Sequence, residues 1–361
     1  MIACYPVRQV LKTRLFPVSL RNGLISSNHY STVQTPDYIQ AALSDDISTV
    51  PLSFDKFSNY ESSSKNSPIV FLHGLFGSKS NNRTVAKQLS SLLTRDVYCL
   101  DLRNHGDSPH TKYHDYPSIS ADVEKFLKDE GLLDPQPIII GHSMGAKTAM
   151  AIALRKPNWL KMLIAVDNAP VSYPYSAGSK FSRYVRCLQE ITTLAGPHAV
   201  ISRTAADDRL SKIEPSLPVR QFLLTNISRK TKSEITDEFE LNKKKYQDDI
   251  HHVPAFKSKI PLGTLGSAID NGNIAVWPYD SNYSRFGGAT LFVRGTESTY
   301  VADDVLAEIG KFFPRFEVKD VKAGHWLISE NPKEFVEVVK DWIEFKEEAI
   351  KDELEGNNLI I

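Results

Sequence analysis

Five consecutive residues, Gly141-His142-Ser143-Met144-Gly145, constrain this chain more than any other segment. They follow an apolar run at 137–140 and precede 146–154, a stretch of small, helix-favouring residues. A strand that turns into a helix within one residue forces that residue into a strained backbone and lifts its side chain above the carboxyl end of the strand. Glycines flank it because side chains there would strike the adjoining strand and helix. Ser143 is therefore predicted to be an exposed hydroxyl on a rigid mount, which suits a nucleophile. G-x-S-x-G alone also occurs in ordinary turns, and the strand before it and the helix after it are what give it meaning.

A mount of this kind needs a sheet around it, and the rest of the chain supplies one. Short apolar runs at 69–73, 96–101, 162–167, 289–294 and 316–321 read as buried strands. Val50, Leu52 and Phe54 alternate with polar residues, predicting an edge strand with one face on the core. Helical patterns lie between the runs. The last, from residue 332 to about 355, puts Phe335, Val338, Val339, Trp342 and Phe345 on one stripe. Strands that are apolar throughout need cover on both faces, so the expected fold is α/β, a mostly parallel, doubly wound sheet. Residues 47–172 and 289–361 read as the two parts of that core. Residues 173–288 show no strand pattern and carry a charge-rich run at 230–249, so they are expected to form an inserted helical lid.

Composition removes several functions. Lys plus Arg number 43 against 43 Asp plus Glu, which offers no basic field for nucleic acid. No run approaches the ~20 apolar residues of a transmembrane helix. The three cysteines, Cys4, Cys99 and Cys187, have no metal-ligand spacing, and the pair His251-His252 lacks further ligands, so no metal is expected. Residues 1–36 contain no Asp or Glu, while Arg8, Lys12, Arg14 and Arg21 alternate with Val7, Val10, Leu11, Leu15 and Val18. That is the pattern of a mitochondrial transit peptide, with removal expected near 28–32 and a mitochondrial location.

A serine nucleophile needs a base, and the base needs an acid. His325, in Ala323-Gly324-His325-Trp326, lies just past the last strand and completes the chain order Ser, acid, His. His73, His105 and His142 belong to other turn motifs. The usual place for the acid, three residues past Gly295, holds Ser298, which cannot offset an imidazolium charge as a carboxylate does. Two carboxylates remain. Glu297 is one residue out of phase, whereas Asp167 ends an apolar strand at the same carboxyl edge, where an unpaired charge would be costly. Asp167 is the favoured acid and Glu297 the alternative. The backbone N–H groups of Leu75 and Met144 are expected to form the oxyanion hole. The polar segment 101–108 reads as structural.

Taken together, His73-Gly74, Asp101-x-Arg103-x-His105-Gly106-x-Ser108, Gly141-x-Ser143-x-Gly145 and Gly324-His325 resemble the α/β-hydrolase superfamily, from about residue 50 onward. The segments 71–78, 166–170 and 219–224 more specifically resemble a subgroup of small bacterial esterases, mitochondrial hydrolases of animals and fungi, and yeast ethanol acetyltransferases. The resemblance implies Ser143, Asp167 and His325 as the triad. It further implies serine-dependent acyl transfer, as an alcohol acetyltransferase making ethyl acetate from acetyl-CoA and ethanol, with thioesterase and esterase side activities. The alternatives are a mitochondrial carboxylic-ester hydrolase and, in a different class, a non-catalytic ligand-binding protein on the same scaffold. No bound cofactor is implied; acetyl-CoA enters as acyl-donor substrate, with a short-chain alcohol or ester as the other small-molecule partner. No phosphate loop marks a CoA site, and Arg183, Arg186 and Arg220 in the lid are read as solvated or structural. No pattern fixes an oligomeric state.

Overall fold

The computed structural model describes residues 35–59, 66–173 and 178–357, with side chains to 352. The expected transit peptide, residues 1–36, lies outside the described residues but for its last two. In chain order the elements are α1 (Asp37–Leu43), β1 (Phe54–Phe57), β2 (Ile69–Leu72), α2 (Arg83–Leu93), β3 (Val97–Leu100), α3 (Tyr116–Asp129), β4 (Ile138–His142), α4 (Met144–Arg155) and β5 (Met162–Val166). A long insertion follows, with α5 (Lys180–Thr193), α6 (Arg203–Ser211), α7 (Leu217–Leu224), β6 (Ile227–Arg229), α8 (Lys232–Leu241), β7 (Phe256–Ser258) and α9 (Leu262–Asp270). The chain then completes the sheet with β8 (Ala289–Gly295), α10 (Leu306–Phe312), β9 (Phe316–Val321), α11 (Leu327–Glu330) and α12 (Pro332–Asn357).

The main sheet has seven strands in the order β1-β3-β2-β4-β5-β8-β9. Only β1 runs antiparallel to its neighbour; the other pairs are parallel. Alternation along the strands explains why they read as unbroken apolar runs. Ile69 and Phe71 of β2 pack into one layer with Val85 and Leu89 of α2 and Phe335 and Val339 of α12. Val70 and Leu72 point the other way, into a layer with Ile119 and Val123 of α3 and Ala149 and Ala153 of α4. Both faces are covered, as the sequence predicts.

Three details differ from expectation. The edge strand starts at Phe54, not Val50, because the backbone before it bonds elsewhere. Val50 N–H donates to Asp122 Oδ1 at 2.8 Å and Ser53 N–H to Ser108 Oγ at 2.8 Å, and Pro51 has no donor. The insertion is not wholly helical: β6 and β7 form an antiparallel pair with Ile227 opposite Ser258. Each has three residues and one buried side chain, Ile227 or Phe256, too little for alternation to register. In α12 Phe335, Val339, Trp342 and Ile343 are buried, but Phe345 is 61% exposed, with the Lys346 amine over its ring. No helix among the described residues is long and apolar enough to cross a membrane.

Candidate active site

At the end of β4 the backbone enters α4 through Ser143, with φ 54° and ψ −114°, a region that side-chain-bearing residues avoid. The Ser143 N–H donates to Val166 O of β5 at 2.9 Å, and its carbonyl accepts from Ala146 and Lys147 of the helix. Sheet and helix thus hold the strain from both sides. A Cβ on Gly141 would lie 2.1 Å from Gly145 O, and one on Gly145 would lie 2.4 Å from Leu72 O. The glycine pair is a packing requirement of the turn.

Three strand ends converge here. Asp167 follows β5 with φ 52°, and its N–H donates to Val293 O of β8 at 2.8 Å. His325 lies in the loop after β9. Its Nδ1–H donates to Asp167 Oδ2 at 2.6 Å, which leaves Nε2 as acceptor facing Ser143 Oγ at 3.0 Å. Tyr300 stacks on the imidazole at 4.3 Å between centroids, and His142 Nε2–H donates to the His325 carbonyl at 2.8 Å. Burial pushes His142 down to about 4, so it is neutral near pH 7.

Asp167 is fully buried and accepts two further hydrogen bonds, from Gly295 N–H at 3.2 Å and Ser298 Oγ at 2.6 Å. Glu297, the alternative acid, is exposed, and its N–H donates to Ala323 O. Sequence reasoning set Ser298 aside as a poor substitute for a carboxylate. It missed that a hydroxyl at the usual acid position can donate to a carboxylate arriving from the neighbouring strand. The signal was the spacing from Gly295.

The loop 73–78 is shaped by two buried histidines. His73 Nδ1–H donates to Gly74 O at 2.8 Å and its Nε2 accepts Leu102 N–H at 3.0 Å. His105 Nδ1–H donates to Arg103 O at 3.0 Å and its Nε2 accepts Phe76 N–H at 3.1 Å, where Phe76 has φ 63°. Burial holds His73 at about 4 and His105 at about 3, consistent with these neutral tautomers. Among the described hydrogen bonds, neither Leu75 nor Met144 N–H has a protein acceptor, and both residues line the same cavity as Ser143. Two orphan donors beside a hydroxyl are what an oxyanion site requires. In the segment 101–108, Asp101 accepts from the backbone N–H groups of Lys79 and Asp107 and from Lys79 Nζ, which is a structural use.

Two cavities flank the serine. One of about 480 Å³ is lined by Ser143, Leu75, Met144, Tyr116, Lys147 and Tyr173 among others. The other, of about 740 Å³, is bounded by His73, Gly74, His142, Phe222, Trp326 and neighbours. Of the lid arginines, Arg220 is tied to Asp207 at 3.0 and 3.2 Å, and Arg183 and Arg186 are exposed. His252 Nδ1–H donates to Tyr246 O, and among the described residues no cluster of His, Cys, Asp and Glu is arranged to hold a metal ion. Cys99 and Cys187 are free and buried.

A family model described as the alpha/beta hydrolase fold matches residues 67–190. A Saccharomyces cerevisiae protein described as a probable alcohol acetyltransferase is 42% identical over 284 residues, 78% of each chain. The mouse protein described as an sn-1-specific diacylglycerol lipase, ABHD11, is 33% identical over 76% of this chain and 80% of its own. Among solved structures, a marine microorganism esterase superposes with a TM-score of 0.66 at 29% identity, covering 81% of this chain and 99% of its own.

Proposed function

The chain belongs to the α/β-hydrolase family, and from that premise we propose that it is a serine acyltransferase, an alcohol acetyltransferase that makes ethyl acetate from acetyl-CoA and ethanol. The observation that carries the serine acyl-transfer chemistry of this reading is the unbroken hydrogen-bond line from Asp167 through His325 to Ser143. Ser143 Oγ attacks the acyl carbon while His325 Nε2 takes its proton, and Asp167 steadies the imidazolium that forms. The oxyanion receives the Leu75 and Met144 N–H groups. His325 then returns the proton to the departing thiolate or alkoxide. The acyl-serine is attacked by ethanol, or by water as a side reaction, with His325 as base a second time. The 42% identity to a protein described as a probable alcohol acetyltransferase supports an alcohol as acceptor. The acid-free residues 1–36 support a mitochondrial address.

Plain ester hydrolysis is the second reading, favoured by the likeness to the mouse lipase and the marine esterase. One experiment separates the two. Purified protein is incubated with acetyl-CoA over a series of ethanol concentrations, and acetate and ethyl acetate are quantified by mass spectrometry. Each ~1.4 kcal/mol of preferential alcohol binding in the second transition state shifts their ratio tenfold. Ethyl acetate should dominate at high ethanol. Acetate dominating at every concentration would leave an esterase.

A further inference from the structure

Lys147 lies one helical turn past Ser143 on α4, and its side chain is 1% exposed. The amine donates to Val171 O at 2.7 Å and sits 4.7 Å from the Tyr173 ring centroid, 5.5 Å from that of Tyr116 and 6.0 Å from that of Trp277. An ammonium has three donors, and one protein acceptor is in place. Among the described residues no carboxylate pairs with it, and the 480 Å³ cavity that it shares with Ser143, Tyr116 and Tyr173 has no Asp or Glu in its wall. Lys180, at the same cavity, has its counter-ion in Glu214 at 2.8 Å. Lys147 has none.

Burying an ammonium without a counter-ion is unfavourable, and burial alone draws this one down to about 7. A structural tether to Val171 would need only a neutral donor. We infer that Lys147 is a specificity-determining residue of the acyl cavity and that, in addition to acetyl, the cavity takes acyl groups ending in a carboxylate, such as those of half-esters or half-thioesters of small dicarboxylic acids. This rests on reading Ser143 as the residue that carries the acyl group. The covalent step is unchanged: the Ser143 Oγ–acyl bond forms, the ester C–O or thioester C–S bond breaks, and the serine proton passes through His325 to the leaving group. The distal carboxylate meets the Lys147 ammonium between the aromatic rings, forming a charge-assisted hydrogen bond in a site shielded from water.

The test compares kcat/KM for 4-nitrophenyl hydrogen glutarate and for 4-nitrophenyl pentanoate, an uncharged ester of the same chain length, in wild type and Lys147→Met. Wild type should favour the glutarate ester by about tenfold or more, and the ratio should fall to one or below in the variant. Lys147 acting only as a tether would lower both rates alike and leave the ratio unchanged, which overturns the inference. Should the variant not fold, wild type alone decides. Free glutarate should inhibit pentanoate-ester turnover more strongly than free pentanoate does, and equal inhibition overturns the inference. Turnover of the neutral ester without preference for the acid-ended one removes this inference alone. Turnover of 4-nitrophenyl acetate alone likewise removes only this inference, whereas turnover of none of the three esters removes the acyl-transfer reading with it.

Discussion

Replacing Asp167 by Asn keeps the size of the side chain and changes one atom from acceptor to donor. Asp167 accepts three hydrogen bonds, and the substitution disturbs them. Oδ1 receives the Gly295 N–H, while Oδ2 receives both Ser298 Oγ and His325 Nδ1–H. If the amide oxygen stays on Gly295, the amide nitrogen faces His325 Nδ1 and can only donate to it. The imidazole must then carry its proton on Nε2, pointing at Ser143 Oγ, where it cannot accept the serine proton. If the amide flips, its nitrogen meets the Gly295 N–H, a donor against a donor in a fully buried site. The first arrangement costs catalysis and the second costs stability. With the wrong tautomer, the corresponding substitution in serine proteases lowers kcat by about 10⁴, or roughly 5.5 kcal/mol of transition-state stabilisation. The assay is kcat on 4-nitrophenyl acetate, with thermal unfolding to show that the variant is folded and Ser143→Ala as the background. Glu297→Gln, at an exposed position, should remain within a few-fold of wild type. A folded Asp167→Asn protein that loses less than tenfold, or a Glu297→Gln protein that loses as much, would refute the reasoning.

Gly145→Ala drives a methyl group to 2.4 Å from Leu72 O and 2.7 Å from His73 O, both backbone atoms, and should cost about 3 kcal/mol or more in urea unfolding. Gly263→Ala, with nothing within 4 Å, should be neutral or slightly stabilising by the same measurement. Acid should loosen the loop that carries Leu75. The folded-state values for His73 and His105, about 4 and 3, lie below the ~6.5 of an unfolded histidine, so between those limits the unfolded chain binds protons that the folded chain refuses. Stability therefore falls as pH drops from 6.5 toward 4, by about 3 kcal/mol for His73 alone. Urea midpoints that stay flat between pH 6.5 and 4.5 would contradict this.

Much of the site was legible in the residues because its requirements are local. The Gly141–Gly145 spacing follows from close approach within one turn, and apolar runs such as 69–72 follow from burial on both sheet faces. Chain order pointed to His325, and the cost of an unpaired carboxylate ending an apolar strand favoured Asp167 over Glu297. What the sequence could not determine depends on residues far apart in the chain. Ser298 and Gly295 share the carboxylate of Asp167 only because β8 lies beside β5. The short β6–β7 pair exists only through its mutual hydrogen bonds. Lys147 reads as one more polar residue on a helix, and nothing near it in sequence removes its solvent or withholds a counter-ion. Tertiary packing does both: α3, the segment after β5 and the chain after α9 bring Tyr116, Tyr173 and Trp277 around an amine that the local pattern would have left in water. Local sterics and hydrophobic periodicity act over a few residues and are written in the sequence, whereas desolvation and partner choice are set by what the folded chain brings alongside.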